Sequence, residues 1–236
     1  MIVGYQTIQS PASQEFCAIA VQFEAVDGKQ ELPIASLINV ADPKGYAVIN
    51  GQADQIWVWK SADANWEKYF YRKQGSNPAT GWCKQKTTTV TTDTIKNGET
   101  FFFQRAKGGS VCDITLSGGV TKFTATPKYA NLVAEQYCFL AYPWPVSLPI
   151  AGFEKYQGNP KGYAVINGQA DQIWLWRNGD WVKYFYRKQG SNPATGWCKA
   201  KETSVTTDTI GAGEGFFFYR GKGGVTDEIN FTYESK

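Results

Sequence analysis

The sequence predicts an all-β protein built from two tandem, homologous β-sandwich-like or barrel-like domains. Three observations predict this: much of the sequence occurs twice, strand-forming residues are abundant, and no window has a helical period. Aromatic residues make up 15% of the 236 residues, and aromatic and β-branched side chains are enriched in strands. Short strands separated by frequent turn signals are typical of sandwiches and barrels.

The internal repeat defines the domain organisation. The segment PKGYAVINGQADQIW occupies 43–57 and again 160–174, so its copies lie 117 residues apart (160 minus 43). The segment KYFYRKQGSNPATGWCK also occurs twice, 115 residues apart (183 minus 68). A period of this length matches a small domain rather than one turn of a solenoid. We therefore predict one domain over 1–120 and a second over 121–236.

The first half of each copy predicts a hairpin. IVGYQTI indicates a strand at the start of the chain, GYAVI indicates a short strand, and NGQAD indicates a turn. QIWVW predicts a strand in which aliphatic residues alternate with Trp57 and Trp59. The following turn is SADAN in the first copy and Asn178-Gly179 in the second, a strong hairpin signal, and KYFYRK is the returning strand.

The second half of each copy begins with a loop. QGSNPATGW contains Gly and Pro and cannot be a central strand. The β-branched stretch TTTVTTDTI favours extended structure, and KNGE or GAGE turns the chain into the aromatic strand ETFFFQR or EGFFFYR. DITLS, or EINFTYE in the second copy, predicts the last strand. LPIA, at 32–35 and 148–151, is the clearest motif shared by the otherwise dissimilar first segments.

Composition argues against several classes of function. The net charge of +3 does not require a nucleic-acid or anionic-membrane partner, and no apolar run approaches the length of a membrane span. Histidine is absent, which removes the commonest general base and metal ligand. NGQAD lacks the spacing of a calcium loop, and no GxSxG elbow occurs. The carboxylates that recur in both copies suit turns and strand ends: Asp54, Asp93 and Glu99, with Asp171, Asp208 and Glu214. We predict no enzymatic activity, no cofactor and no metal.

The five cysteines allow two alternatives. Cys83 and Cys198 share the motif GWCK, Cys17 and Cys138 lie in the first segments of their copies, and Cys112 has no counterpart. One alternative is a disulfide in each domain, Cys17–Cys83 and Cys138–Cys198, which would stabilise by roughly 4 kcal/mol for loops of this length. The other is that the thiols are buried and pack as small apolar groups. The absence of CxxC argues against a zinc or redox site.

The candidate ligand or assembly surface is the repeated loop QGSNPATGWCK with its flanking strands. Its identity extends to positions that we expect to be exposed, where substitution is nearly neutral. Recent duplication explains this identity, and so does a partner that contacts both copies. The side chains offered are Tyr69, Tyr71, Arg72, Lys73, Gln74, Asn77 and Trp82, with Tyr184, Tyr186, Arg187, Lys188, Gln189, Asn192 and Trp197.

The aromatic residues also have two interpretations. Trp and Tyr rings beside amides suit sugars, since a ring face takes the C–H face of a sugar and amides take hydroxyls. Alternatively, the tryptophans fill the core of the sandwich or its rim: Trp57, Trp59, Trp66 and Trp82. Interleaved basic residues such as Lys68 and Lys84 suit protection of a sheet edge better than stacking of single-stranded nucleic acid.

Motifs in both copies resemble those of one bacterial family. They are IVGY (2–5), QIWVW and QIWLW, SNPATGW, AGEGFFFYR (212–220) and DITLSGG (113–119). Together they resemble exported tandem β-domain proteins of the planctomycete–verrucomicrobial–lentisphaeral group. The resemblance implies secretion, with Met1 standing where a signal peptide was removed, extracellular or surface placement, and no known enzymatic activity. The first copy departs from the family pattern at KNGET.

These observations lead to two expectations of function. The first is a non-enzymatic extracellular or cell-surface structural or adhesive protein that self-assembles through its β-domains, since exposed strand edges can pair. The alternative is a carbohydrate-binding module that uses the repeated Tyr/Trp/Asn/Gln loop. The expected partner is a further copy of the chain in the first case and a surface glycan in the second, with no nucleic acid and no membrane span.

Overall fold

The computed structural model describes residues 3–25, 27, 29–46, 52–73, 80–120, 128–164, 169–188 and 195–231. The described chain is all-β, and its strands pair antiparallel within every sheet. Residues 1–120 are called the first repeat below, and residues 121–236 the second repeat. The boundary between them remains a prediction, because the description stops at Val120 and resumes at Lys128.

The described residues of the first repeat form eleven strands and one helical turn, α1 (Ile34–Leu37). The strands are β1 (Val3–Gln9), β2 (Phe16–Ala20), β3 (Phe23–Glu24), β4 (Glu31–Pro33), β5 (Ile38–Val40), β6 (Gln55–Lys60), β7 (Asn65–Arg72), β8 (Gly81–Lys84), β9 (Thr94–Lys96), β10 (Thr100–Gln104) and β11 (Asp113–Val120).

In the second repeat, the part of the chain that the structure describes forms nine strands and a 3₁₀ helix, Ile150–Tyr156. The strands are β12 (Lys128–Leu132), β13 (Tyr137–Ala141), β14 (Leu148–Pro149), β15 (Gln172–Arg177), β16 (Asp180–Arg187), β17 (Gly196–Lys199), β18 (Thr209–Ile210), β19 (Gly215–Tyr219) and β20 (Asp227–Asn230).

Each repeat builds a five-stranded sheet with the same strand order. The order is β2-β10-β6-β7-β8 in the first repeat and β13-β19-β15-β16-β17 in the second. In the first repeat, β1 pairs with β11, whose other side pairs with β3 and β5; in the second, β12 pairs with β20. The short pairs β4-β9 and β14-β18 are also equivalent.

The core of the first repeat lies between its two larger sheets. Ile56 and Phe101 enter it from the five-stranded sheet, and Ile114 and Leu116 enter it from β11; all four are 0% exposed. Side chains alternate between the two faces of a strand, so the residues between these core positions face away from this core. The second repeat has an equivalent core, to which its 3₁₀ helix adds Phe153.

The predicted hairpin is confirmed, including its turn. Gln55–Lys60 pairs with Asn65–Arg72, and Gln172–Arg177 pairs with Asp180–Arg187. Asn178 has a φ of 52° and Gly179 a φ of 79°. Both values lie in the left-handed region that a two-residue type I′ hairpin turn requires, and Asn and Gly adopt this region most readily.

Other predicted strands differ from the structure or lie outside it. TTTVTTDTI forms a strand only from Thr94. The residues before it have no regular secondary structure and run beside β8, where the Thr91 N–H donates to the Trp82 carbonyl. Gly45 and Tyr46 of GYAVI are not in a strand. Positions outside the described residues are 47–51 of GYAVI and NGQAD, 74–79 and 189–194 of the repeated loop, and 232–234 of EINFTYE.

The predicted disulfides are wrong, and all five cysteines are free. Cys17 lies on β2 and Cys83 on β8, the opposite edges of a five-stranded sheet. Four strand spacings separate them by about 19 Å, whereas the Cα atoms of a disulfide lie within about 7 Å. Cys138 and Cys198 occupy the same opposite edges in the second repeat. The alternative of buried thiols fits Cys83, Cys138 and Cys198, whereas Cys17 and Cys112 are half-buried.

None of the helices in the described part of the chain has the length and apolar character needed to cross a membrane.

Candidate binding cleft

The largest aromatic residues of the predicted loop surface are buried in the cores of the two repeats. Tyr69 and Tyr184 are 0% exposed, and Trp82 and Trp197 are 2% and 0% exposed. The reason is the strand alternation, which turns these residues of β7, β8, β16 and β17 towards the core of their own repeat. The assignment of these four side chains to a ligand or assembly surface was therefore wrong.

Four further residues of the predicted surface are also engaged within the protein: Tyr71, Arg72, Tyr186 and Arg187. Arg72 donates from Nη1 to the Thr87 carbonyl at 3.1 Å, and Arg187 donates from Nη2 to the Ala164 carbonyl at 2.9 Å. Tyr71 packs edge-on against Trp82. Tyr186 is buried, and this burial, with a hydrogen bond to Glu154, raises the pKa of Tyr186 to about 12.

Parts of the predicted surface remain untested. Lys73 and Lys188 are exposed. The four amides lie outside the described residues: Gln74, Asn77, Gln189 and Asn192.

Two recurring carboxylates form buried ion pairs. Asp54 Oδ2 lies 2.7 Å from Arg105 Nη1, and both side chains are 0% exposed. Asp54 also accepts hydrogen bonds from the main-chain N–H groups of Lys44 and Ala106, at 2.8 and 2.9 Å. Asp171 and Arg220 repeat this arrangement at 2.8 Å. These groups join the loops at the end of the sheet and have a structural role.

The remaining recurring carboxylates also stabilise local structure. Asp208 accepts a hydrogen bond from the buried Tyr184 hydroxyl at 2.7 Å, and this bond lowers the pKa of Asp208. Glu214 accepts from the Gly211 N–H at 2.7 Å, which closes the turn before β19. In the described residues, no group of three or more His, Cys, Asp or Glu side chains is placed to hold a metal ion.

The outer faces of the two five-stranded sheets meet in an aromatic cluster. Phe102 of the first repeat lies 5.0 Å from Phe139 of the second, between ring centroids, and Trp66 lies 5.8 Å from Phe217. Phe139 stacks on Phe217 at 4.3 Å. Because one face of each sheet covers its own core and the other covers the partner repeat, β6 and β15 carry apolar side chains on both faces.

The contacts between the repeats are related by an approximate two-fold axis. Trp59 Nε1 donates to the Tyr137 carbonyl at 2.8 Å, and Trp176 Nε1, its equivalent, donates to the Phe16 carbonyl at 3.2 Å. The strand edges follow the same rule, as Ile19 bridges to Glu214 and Glu99 bridges to Leu140. This isologous arrangement is typical of two-fold interfaces, although both halves belong to one chain.

A cleft of about 390 Å³, called the tryptophan cleft below, opens on this axis. The ten described residues that line it are all aromatic, and they form five equivalent pairs across the two repeats. The pairs are Phe16 and Tyr137, Trp57 and Trp174, Trp59 and Trp176, Trp66 and Trp181, and Phe102 and Phe217. All six tryptophans are half-buried, so each ring has one part packed and another part facing solvent.

Polar groups at the tryptophan cleft are few and symmetric. Trp57 Nε1 donates to Gln55 Oε1 at 2.9 Å, and Lys68 Nζ lies 3.6 Å from the centroid of the Trp57 ring. Lys183 lies 3.7 Å from the centroid of Trp174 in the same manner. The indole N–H groups of Trp66 and Trp181 donate to none of the described residues, since the only hydrogen bonds of these residues involve the main chain. They are therefore available as donors.

The sequence contained a signal for this cleft. A strand with apolar residues on both faces is covered on both faces, and QIWVW places aliphatic residues on one face and tryptophans on the other. The sequence does not say what covers the second face. In the structure, the other repeat covers this face.

In comparisons with known proteins, no family model, no curated protein and no solved structure matches this chain.

Proposed function

We propose that the protein is a non-enzymatic, extracellular or cell-surface adhesive protein that binds glycans in the tryptophan cleft. One observation carries the proposal: a cleft of about 390 Å³ is lined by ten aromatic residues, six of them half-exposed tryptophans. Ligand sites in proteins occupy roughly 300 to 1,000 Å³, are mostly apolar and lie preferentially between structural units.

The chemistry of the lining favours a sugar. Indole rings offer flat apolar faces to the C–H faces of a pyranose, and their N–H groups give polar contacts at the edge. Trp66 and Trp181 supply unused N–H donors, and Lys68 and Lys183 hold ammonium groups beside the cleft for hydroxyl or carboxylate oxygens. None of the described residues that line the cleft is a carboxylate, and the ammonium groups of Lys68 and Lys183 already lie over the rings of Trp57 and Trp174, so a neutral or acidic glycan fits better than a cation.

We propose no catalytic activity because of the residues that line the cleft. Among the described residues of the lining there is no nucleophile, carboxylate or general base apart from the Tyr137 hydroxyl, whose pKa is raised by burial. Hydrolysis of a glycosidic bond ordinarily needs a pair of carboxyl groups at the bond. The extracellular or surface placement is taken from the family resemblance of the sequence motifs.

The experiment is a glycan array with neutral and acidic oligosaccharides, followed by titration of tryptophan emission with the strongest hit. We expect saturable binding and a change in emission. The double variant Trp66→Phe/Trp181→Phe removes both free N–H donors and part of the ring surface, and we expect at least a tenfold weaker affinity, about 1.4 kcal/mol.

The matched control is Trp82→Phe, the same replacement at a tryptophan buried in the core of the first repeat. It lowers stability without touching the cleft, so we expect its affinity to equal that of the unmodified protein. Binding that survives the double variant, or that is lost equally in the control, contradicts the assignment of the cleft.

A structural, self-assembling role is the second candidate. It is favoured by a separate observation, the edge of β1, which pairs with none of the described residues. An unpaired strand edge is a template for addition of a further strand.

A further inference from the structure

The edge of β1 differs from the other long edges of this protein. The outer edge of β2 is covered by the second repeat, where the Ala20 N–H donates to the Gly213 carbonyl at 3.2 Å. The edge of β13 is covered by the first repeat, where the Ala141 N–H donates to the Gly98 carbonyl at 2.6 Å. The edges of β8 and β17 receive N–H groups from Thr91 and Thr206. Within the described residues, β1 pairs with β11 alone.

The register of β1 shows which of its main-chain groups face outwards. Val3 to Gln9 pair with Gly119 to Asp113 without a shift, and the Ser10 N–H donates to the Cys112 carbonyl at 2.8 Å. Because antiparallel pairs alternate between hydrogen-bonded and non-hydrogen-bonded, the main-chain groups at even positions face β11. The N–H and C=O groups at odd positions therefore face away from the sheet: Val3, Tyr5, Thr7 and Gln9.

The composition of β1 leaves this edge open to pairing. Its seven residues, VGYQTIQ, contain no charge and no proline, and Tyr5 and Val3 are 74% and 48% exposed. Natural edge strands are usually protected by charges, prolines or bulges. The equivalent strand β12 has such protection, since its register with β20 shifts between Tyr129 and Leu132.

We propose that two copies of this chain associate by antiparallel pairing of β1 with β1. The alternation fixes the register with the best match, in which Gln6 faces Gln6 of the second copy and Tyr5 faces Thr7 of the second copy. In this register all four outward-facing residues find hydrogen-bonded partners, with Val3 opposite Gln9 at both ends. The absence of charge on β1 means that no like charges meet, and each Tyr5–Thr7 pair joins an aromatic to a β-branched side chain.

The pairing joins the two β1-β11 sheets into one continuous sheet across a two-fold axis. A second copy is favoured over an unrelated strand because the outward pattern of β1 is complementary to itself when reversed. This inference rests on the self-assembling role proposed above and is independent of the tryptophan cleft.

The test is the mass of the full chain by sedimentation and light scattering, without glycan, from about 1 μM to about 1 mM, the range of weak to moderate association. We expect the mass to rise from 26.2 kDa towards twice that value. Thr7→Pro removes one outward N–H and leaves the hydrogen bonds to β11 intact, since proline is tolerated where the N–H faces away from the sheet. We expect this variant to stay monomeric at every concentration.

A second variant and a control distinguish loss of pairing at the β1 edge from misfolding of the variant. Tyr5→Lys places a charge at the centre of the edge and is also expected to stay monomeric, whereas Val225→Lys adds the same charge at a residue of the second repeat that is 59% exposed and should still dimerise. Amide exchange supplies a local readout. The N–H groups of Tyr5, Thr7 and Gln9 should exchange quickly in the monomer and slowly in the dimer, while those of Gln6 and Ile8 are protected in both.

The outcomes separate the inference from the role on which it rests. A monomer at every concentration overturns both the self-assembling role and the β1 pairing. Assembly that persists in both Thr7→Pro and Tyr5→Lys supports the role but overturns the β1 edge as its interface. Neither outcome bears on glycan binding.

Discussion

Trp59 of the first repeat donates its indole N–H to the main-chain carbonyl of Tyr137 in the second repeat, at 2.8 Å. In the equivalent bond, the indole N–H of Trp176 donates to the main-chain carbonyl of Phe16 at 3.2 Å. The indole ring of Trp59 also packs edge-on against Phe217 of the second repeat. Trp59 and Trp176 thus have two roles, since they join the repeats and also line the cleft as half-buried side chains.

The bond from Trp59 to Tyr137 predicts a measurable effect on stability. Trp59→Phe keeps most of the ring packing but leaves the Tyr137 carbonyl without its donor, so we expect unfolding to become easier by about 1 kcal/mol. The matched control is Trp57→Phe, whose indole N–H donates only to Gln55 of the same repeat. Urea unfolding measures both free energies. Equal values for the two variants would show that the bond between the repeats contributes no more than the bond from Trp57 to Gln55 within the first repeat.

The ion pair between Asp54 and Arg105 predicts a larger effect. Asp54→Asn removes the buried carboxylate that pairs with Arg105 and leaves its guanidinium with the exposed Asp42 carboxylate at 3.7 Å. Breaking a buried pair in this way costs about 3 to 5 kcal/mol. We expect the equivalent change, Asp171→Asn, to cost a similar amount.

Asp63→Asn serves as the control for both changes, because Asp63 is exposed on the hairpin turn and surface substitutions usually stay within about 0.5 kcal/mol. Thermal unfolding of the three variants makes the comparison. A loss for Asp54→Asn no greater than that for Asp63→Asn would mean that the pair is not essential to the fold.

The free cysteines predict a simple chemical result. Denatured protein prepared without reductant should titrate five thiols, and its intact mass should be unchanged by reduction. In the native protein, burial raises the pKa of Cys17 to about 12, so alkylation of this thiol at neutral pH should be slow. Recovery of only one thiol after denaturation would instead indicate the two disulfides that the sequence analysis gave as one alternative.

The hydrogen bond from Tyr184 to Asp208 predicts a pH dependence of stability. This bond, followed by the charge of Lys199, holds the pKa of Asp208 below its ordinary value of 3.8. A carboxyl with a lowered folded-state pKa stabilises the protein above the unfolded-state pKa, and this stabilisation is lost as the pH falls through the folded-state pKa.

Tyr184→Phe tests that dependence. The variant should be less stable than the unmodified protein by about 1 kcal/mol at pH 6, and the difference should narrow below pH 4. The measurement is chemical unfolding of both proteins across this pH range. A difference that stays constant from pH 6 to pH 2 would show that the ionised form of Asp208 is not the acceptor that matters.

Local features of the fold were predictable because they depend on neighbouring residues. Asn178-Gly179 specified its hairpin turn, and the alternation in QIWVW specified a strand with two apolar faces. The cysteine pairing was not predictable, because it depends on the order of strands that lie far apart in the sequence. Cys17 and Cys83 belong to the same sheet but to opposite edges of it, and no local pattern records this.

The site was missed for a related reason. Both Trp82 and Trp57 lie in strands that recur in the second repeat, and only the three-dimensional arrangement assigns Trp82 to the core and Trp57 to the cleft. Identity between repeats drew attention to the QGSNPATGW loop, whereas the cleft requires one surface from each repeat. A cleft on a two-fold axis occurs once in the chain although every element that forms it occurs twice.

This difference in number gives the most direct test of the proposed site. Isothermal titration calorimetry with the glycan that binds most strongly on the array measures the number of ligands bound by each chain. The tryptophan cleft predicts one ligand per chain, with binding weakened at least tenfold in Trp66→Phe/Trp181→Phe. Two ligands per chain, unaffected by that double variant, would contradict the cleft and return the site to the repeated loops.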